Sequence, residues 1–238
     1  MKQILTSATQ FGLNLTESHL MAFERYYQIL LEWNERINLT RIVEPSEVAV
    51  KHFLDSLSVY PLLPPRARQL IDVGSGAGFP GLPLKLACPD LQVTLLESTG
   101  KKTAFLRHVI TELGLTGIEV ITLRAEEAGQ QADQRQRYDV AVARAVSPLV
   151  VLAEYLLPLV KVGGVMIAQK GQPPTEELAA ATYAIKLLGG QAATVQPLHV
   201  PHLEGERHGV VIKKIKPTPK AYPRRPGLPS KEPLGSEK

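Results

Sequence analysis

Leu70-Ile71-Asp72-Val73-Gly74-Ser75-Gly76-Ala77-Gly78-Phe79-Pro80-Gly81 decides how the rest of the chain reads. An apolar run of strand length passes into three glycines at alternate positions and then into a helical pattern. A second apolar run, residues 91–96, ends on Glu97, about 20 residues after the loop, which is the layout of a nucleoside cofactor site on a parallel sheet. Without a Cβ, glycine takes positive φ and lets a ligand lie against the backbone. Glu97 is placed to accept hydrogen bonds from both ribose hydroxyls. The spacing is G-x-G-x-G and not G-x-G-x-x-G. That shift moves the expected ligand from a dinucleotide towards S-adenosylmethionine. The competing reading of Gly74, Gly76 and Gly78 is a tight strand–helix corner that holds nothing.

Working outward, residues 69–73, 92–96, 118–123, 138–143 and 164–169 read as strands, with helices near 81–88, 100–113, 148–160 and 174–188. Strands at 192–200 and 208–215 complete the set. Short apolar strands separated by helices predict an α/β fold, a mostly parallel sheet covered on both faces. Gly163-Gly164 and Gly189-Gly190 read as helix ends. Ahead of the sheet, periodicity predicts a helix over 16–37, capped by Thr16 or Asn14, and another from Pro45-Ser46 to about Tyr60. The expected organisation is a helical subdomain over 1–67, a cofactor-binding domain over 68–215 and a basic, proline-rich tail over 216–238.

Bulk properties narrow the class. The chain has 238 residues, 44% hydrophobic and 21% charged, with a single cysteine. One cysteine forms no internal disulfide, and neither a cysteine-based metal site nor any other metal is expected. The amino-terminal residues lack a signal-peptide pattern and no apolar run reaches bilayer-spanning length, so the expectation is a cytoplasmic protein without membrane contact. Net charge is +4, but residues 213–238 carry eight Lys or Arg against two Glu, so the tail is +6 and the remainder about −2. Such a tail suits a phosphate backbone or is merely solvated.

The chemistry-bearing positions follow the strand ends, where open α/β sheets hold their ligands. Asp72 either orients the glycine loop, reaches a cofactor amine through water, or caps the turn. Arg124-Ala125-Glu126 follows the third strand, where the backbone of Ala125 and Glu126 meets an adenine edge or forms an ordinary loop. Arg144, at the end of the fourth strand, is a ligand contact or half of a buried charge pair. Neither Asn-Pro-Pro-Tyr nor Asp-Pro-Pro-Tyr follows that strand, and no Pro-Cys does. Cys88 lies on the wrong element for covalent attack on a pyrimidine and reads as a small buried residue. A nucleophile that needs no deprotonation, such as guanine N7, accounts for the missing base; catalysis is then alignment and electrostatics.

The chain resembles the RsmG/GidB family of bacterial methyltransferases that modify guanine N7 in small-subunit ribosomal RNA. The matching residues are Trp33-Asn34-Glu35-Arg36-Ile37-Asn38-Leu39-Thr40, His52-Phe53-Leu54-Asp55-Ser56-Leu57, the loop from Asp72 to Gly81, and Glu97-Ser98-Thr99-Gly100-Lys101-Lys102. They continue with Arg124-Ala125-Glu126, Ala143-Arg144-Ala145, Lys170-Gly171 and Tyr222-Pro223-Arg224-Arg225-Pro226-Gly227-Leu228-Pro229. The resemblance implies a class I, Rossmann-like methyltransferase fold with a seven-stranded sheet, S-adenosylmethionine as donor, and a target guanine at position 527 of 16S rRNA. It implies cofactor contacts at Gly74, Phe79, Glu97, Ser98, Thr99, Ala125, Glu126 and Arg144. With it, Arg224 and Arg225 are expected at RNA phosphate, and Lys170 at the rim of the base pocket or at a solvated strand end. His52 and Asp55, three apart on a helix, either face the cleft or pair on a helical surface. The expected partner is 16S rRNA or the small subunit, and the expected state a monomer. The rival readings are a nucleotide-dependent oxidoreductase, a non-catalytic RNA-binding protein and a small-molecule methylase.

Overall fold

The computed structural model describes residues 1–144 and 147–235; Ala145 of the quoted motifs lies outside the described residues. Seven strands form one sheet: β1 (Gln69–Val73), β2 (Gln92–Leu96), β3 (Ile118–Ile121), β4 (Tyr138–Arg144), β5 (Val160–Lys170), β6 (Thr194–Pro197) and β7 (His208–Lys213). Their order is β3-β2-β1-β4-β5-β7-β6, with β7 antiparallel to both neighbours and the other pairs parallel. The strand order reverses between β1 and β4, so a crevice opens above their carboxyl ends.

The central strands are apolar on both sides because both faces are covered. In β4, Val140 and Val142 join one core cluster, and Ala141 and Ala143 the other, as the two-residue period of a strand requires. The first face carries the amino-terminal helices: α1 (Lys2–Leu5), a 3₁₀ turn over Thr6–Phe11, α2 (Glu17–Asn34), and a helical run through α3 (Pro45–Val48) and α4 (Asp55–Leu57), which is π-type over Ala49–Leu54. It also carries α5 (Gly81–Ala87) and α6 (Gly100–Glu112). The other face is covered mainly by α8 (Leu149–Leu156) and α9 (Thr175–Leu187). The short α7 (Ala125–Ala128) follows β3, and α10 (Leu228–Lys231) lies in the tail.

Several boundaries differ from the sequence reading for local reasons. Thr16 caps α2, accepting from His19 N. The helix stops at Asn34 because that side chain accepts the amides of Leu39 and Thr40, both at 2.9 Å, and turns the chain back. Gly163-Gly164 does not end a helix. It sits inside β5, where Gly163 takes φ +92° beside an irregularity in the pairing with β4. Residues Lys2–Leu5 and Thr6–Phe11, with no clear signal of their own, are helical and bury Leu5, Ala8 and Phe11. The tail does not hang free: Arg135 donates to the carbonyls of Thr218 and Tyr222, at 2.9 and 2.7 Å.

Candidate active site

A cavity of about 600 Å³ opens at the point where the strand order reverses. Strand order lays its wall out in sequence. Leu123 to Glu126 follow β3, Glu97 to Thr99 follow β2, Gly74 to Ala77 follow β1, and Arg144 and Ser147 stand at and beyond the end of β4. His52 and Phe79 close the β4 side. The cavity therefore gathers Gly74, Gly76, Phe79, Glu97, Ser98, Thr99, Ala125, Glu126 and Arg144 from positions 70 residues apart.

Glu97 is buried and its carboxylate accepts Gly76 N at 3.0 Å through Oε2 and Thr99 N at 2.8 Å through Oε1. These two bonds lock the glycine loop to the end of β2. A carboxylate has about four lone-pair sites, so two remain for a vicinal diol. Gly74 and Gly76 take φ +73° and +57°, which bares their backbone to the cavity.

Two of the expected cofactor contacts, Asp72 and Gly78, are not among the residues that line the cavity. Gly78 does not line the cavity; a Cβ there would stand 2.3 Å from Leu82 Cδ1 and 2.8 Å from Tyr26 Oη, so glycine is required for helix packing. Asp72 is fully buried beneath the loop. Its Oδ2 accepts Gly81 N at 2.9 Å, its backbone carbonyl accepts Ser75 Oγ, and burial pushes its carboxyl up to about 7. It orients the turn and does not reach the cavity.

At the β4 end, His52 stacks on Phe79 with ring centroids 4.5 Å apart and an interplanar angle of 20°. The Arg144 guanidinium lies 5.0 Å from the same phenyl centroid, a cation–π contact. Burial, reinforced by Arg144, lowers the His52 pKa to about 4, and its Nε2 sits 2.7 Å from Thr40 Oγ1. Arg144 donates to Asp55 Oδ2 at 2.7 Å. The other carboxylate oxygen accepts Arg207 Nε at 2.8 Å and Gln169 Nε2 at 3.1 Å. His52 and Asp55 therefore face inward and do not pair on a helical surface. Around them a second cavity of about 350 Å³ is lined by Lys51, His52, Asp55, Arg144, Gln169, Lys170, Gly171 and Arg207. Lys170 is not a solvated strand end, since it donates to Glu177 at 2.7 Å and to Ser147 O at 2.9 Å.

Comparison with known proteins places the chain. The model of the GidB family, rRNA small subunit methyltransferase G, matches residues 19–209. The chain belongs to this family. A ribosomal RNA small subunit methyltransferase G from Desulforamulus reducens is 47% identical over 96% of this chain and 95% of its own length. One from Alkaliphilus oremlandii is 48% identical over 98% of this chain and 99% of its own. Among solved structures, a SAM-dependent methyltransferase from Aquifex aeolicus superposes with a TM-score of 0.51 at 17% identity, over 72% of this chain and 94% of that one. A predicted O-methyltransferase from Agrobacterium tumefaciens gives 0.51 at 20% identity, over 67% and 78%. The α/β fold is the class I methyltransferase fold.

Within this GidB-family chain, the tail arginines part company. Arg225 is exposed. Arg224 was expected at RNA phosphate, but its guanidinium forks onto buried Glu154, with Nε–Oε1 at 2.9 Å and Nη2–Oε2 at 2.7 Å. Arg207 and Gln169 were not anticipated. Arg207 precedes β7, whose antiparallel register brings it beside β5; the Glu-Arg-His run around it carries no motif from which that pairing is readable. Tyr155, on the cavity wall from α8, sits in an apolar helical pattern that reads as core.

Proposed function

We propose that this GidB-family protein transfers the methyl group of S-adenosylmethionine to N7 of a guanine in 16S rRNA, the one at position 527. The observation that carries the reading is that His52 and Arg144 line both cavities, so a donor in the larger one and a base in the smaller one meet at these two side chains. When bound, S-adenosylmethionine supplies an activated methyl group on its sulfonium.

The residues present suit that donor. Glu97 has acceptor sites left for the ribose hydroxyls, the bared loop at Gly74 and Gly76 accommodates the amino-acid portion, and Ala125 and Glu126 offer backbone groups to adenine. The loop spacing is G-x-G-x-G and not the G-x-G-x-x-G that sets a dinucleotide's pyrophosphate on a helix N-terminus.

The acceptor side argues for a nucleophile that carries its own lone pair. His52, with its pKa near 4, is a weak base, and the Arg144 guanidinium offers donors but no acceptor atom. Neither is suited to deprotonating an amine or a hydroxyl, whereas guanine N7 needs no proton removed. Asp55 is set against both Arg144 and Arg207, while Lys51 pairs with Glu47 and Lys170 with Glu177, so the cavity keeps one cation in excess, and its guanidinium donors complement RNA phosphate and the guanine O6 acceptor. Exposed Arg225 extends that complementarity to the tail. The protein acts as a monomer on small-subunit rRNA in the cytoplasm.

Calorimetry with S-adenosylhomocysteine and with NADH, followed by transfer of label from methyl-tritiated donor to undermethylated small subunits, tests the proposal. S-adenosylhomocysteine should bind, NADH should not, and label should enter RNA. Binding of NADH alone would make the protein an oxidoreductase, and rRNA binding without label transfer a non-catalytic RNA-binding protein.

A further inference from the structure

The carboxyl-terminal segment does something that its charge does not suggest. It packs on the sheet face that carries α8 and touches both α7 and α8 beside the cavity. On one wall, Gly227 N donates to Glu126 Oε1 at 2.8 Å, Gln130 Nε2 donates to Pro223 O at 2.7 Å, and Pro223 packs so closely on Gly129 that a Cβ there would stand 2.7 Å from Pro223 Cγ. On the other wall, Arg224 holds Glu154 through its backbone N–H at 2.8 Å and its guanidinium fork, and the hydroxyls of Ser230 and Tyr155 lie 2.9 Å apart. Glu126 and Tyr155 both line the cavity.

The wall needs this support. α7 spans four residues, far below the length at which a helix holds itself in water, so its place is set by what packs on it. Glu154 is 1% exposed at its side chain and a buried carboxylate without a cation is costly, so Arg224 is committed to it. Arg224 also donates to Glu232 O at 2.8 Å, which closes the segment into a loop over α8.

We propose that residues 222–232 form a strap that fixes the adenine end of the cofactor cavity, with Arg224 as a positioning residue acting through Glu154 and Gly227 acting through Glu126. This rests on the larger cavity being the S-adenosylmethionine site. The strap holds the Ala125–Glu126 backbone and the Tyr155 ring at a fixed separation, so the ligand's adenine meets a formed slot. Arg224 therefore serves the cofactor, while its exposed neighbour Arg225 remains free to meet RNA.

The test compares full-length wild-type protein with Arg224→Ala and with Arg224→Ala/Glu154→Leu, which removes both members of the pair and so leaves no stranded charge. S-adenosylhomocysteine affinity is measured by calorimetry, KM for S-adenosylmethionine and kcat by label transfer, and small-subunit affinity over a range of salt. The expected result is a loss of about tenfold in S-adenosylhomocysteine affinity, in the usual range for coupled sites, in both variants. KM should rise in parallel, with kcat and subunit affinity within about twofold of wild type on that same basis. Cofactor affinity unchanged in either folded variant would overturn the proposal. So would weakened subunit binding with a shallower salt slope and normal cofactor affinity, which would make Arg224 an RNA contact. Failure of the double variant to fold would make the contact purely structural and equally overturn it. Wild-type protein that binds no S-adenosylhomocysteine would instead remove the reading of the cavity on which the strap rests.

Discussion

The imidazole of His52 lies stacked on the phenyl ring of Phe79, 4.5 Å between centroids. One residue comes from the amino-terminal helical layer and the other from the end of the glycine loop, so the contact joins the two parts of the fold where the cavities meet. Phe79 also packs near Tyr26 and Phe53, at 5.7 and 6.1 Å, which makes the stack part of a buried aromatic cluster.

His52 and Asp72 pull the pH dependence of stability in opposite directions. The His52 pKa is lowered from 6.5 to about 4, so between those values the unfolded chain binds more protons and the histidine's contribution to stability rises with pH. The Asp72 pKa is raised from 3.8 to about 7, so over nearly the same window the folded chain binds more protons and its contribution falls as pH rises. Each amounts to ~3–4 kcal/mol at full span. The expected outcome in urea titrations is that Asp72→Asn gains stability relative to wild type from pH 4 to 7, and that His52→Gln loses the rise between 4 and 6.5. Two parallel curves would contradict this.

Asp55 neutralises two arginines with one buried carboxylate. Asp55→Asn should cost about 3 kcal/mol, because both guanidiniums lose their anion, and should lower label transfer at least tenfold by releasing Arg144 from its place beside Phe79. Denaturant unfolding and single-turnover transfer measure the two effects separately.

Glu97 bonds the loop and retains acceptor sites facing the cavity. Glu97→Ala should weaken S-adenosylhomocysteine by about 100-fold, the loss of two charge-assisted hydrogen bonds at roughly 1.5 kcal/mol each, with less change in KM for RNA. Calorimetry reads this directly.

Arg225 is exposed and stands next to the strap. Arg225→Ala should lower small-subunit affinity and reduce the magnitude of the salt slope by about 1, the signature of one lost phosphate contact, while cofactor affinity stays that of wild type.

The parts of the fold that rest on local pattern were legible in the sequence. β1, β2 and their glycine loop were placed to the residue, because an apolar run, positive-φ glycines and an acid at fixed distance leave few alternatives. The parts set by tertiary pairing were not. Gly163-Gly164 looks like a helix stop and is a strand irregularity, since only the pairing of β5 with β4 distinguishes the two. Arg207 acquires its role from the antiparallel register of β7, and Arg224 from a buried glutamate 70 residues away; neither partner is marked in sequence. Gly78 shows what motif reading leaves out, for its missing Cβ makes room for Leu82 and Tyr26.

The central claim is that donor and base meet at His52 and Arg144 and that the accepting atom needs no deprotonation. The most direct measurement is methyl transfer to undermethylated small ribosomal subunits, followed by mapping of the modified nucleotide and atom. The account predicts a single N7-methylguanine at position 527 of 16S rRNA, formed at a rate that shows no inflection near pH 6.5, where an unperturbed histidine base would titrate. Methylation of an exocyclic amine, a ribose hydroxyl or a pyrimidine carbon would contradict it.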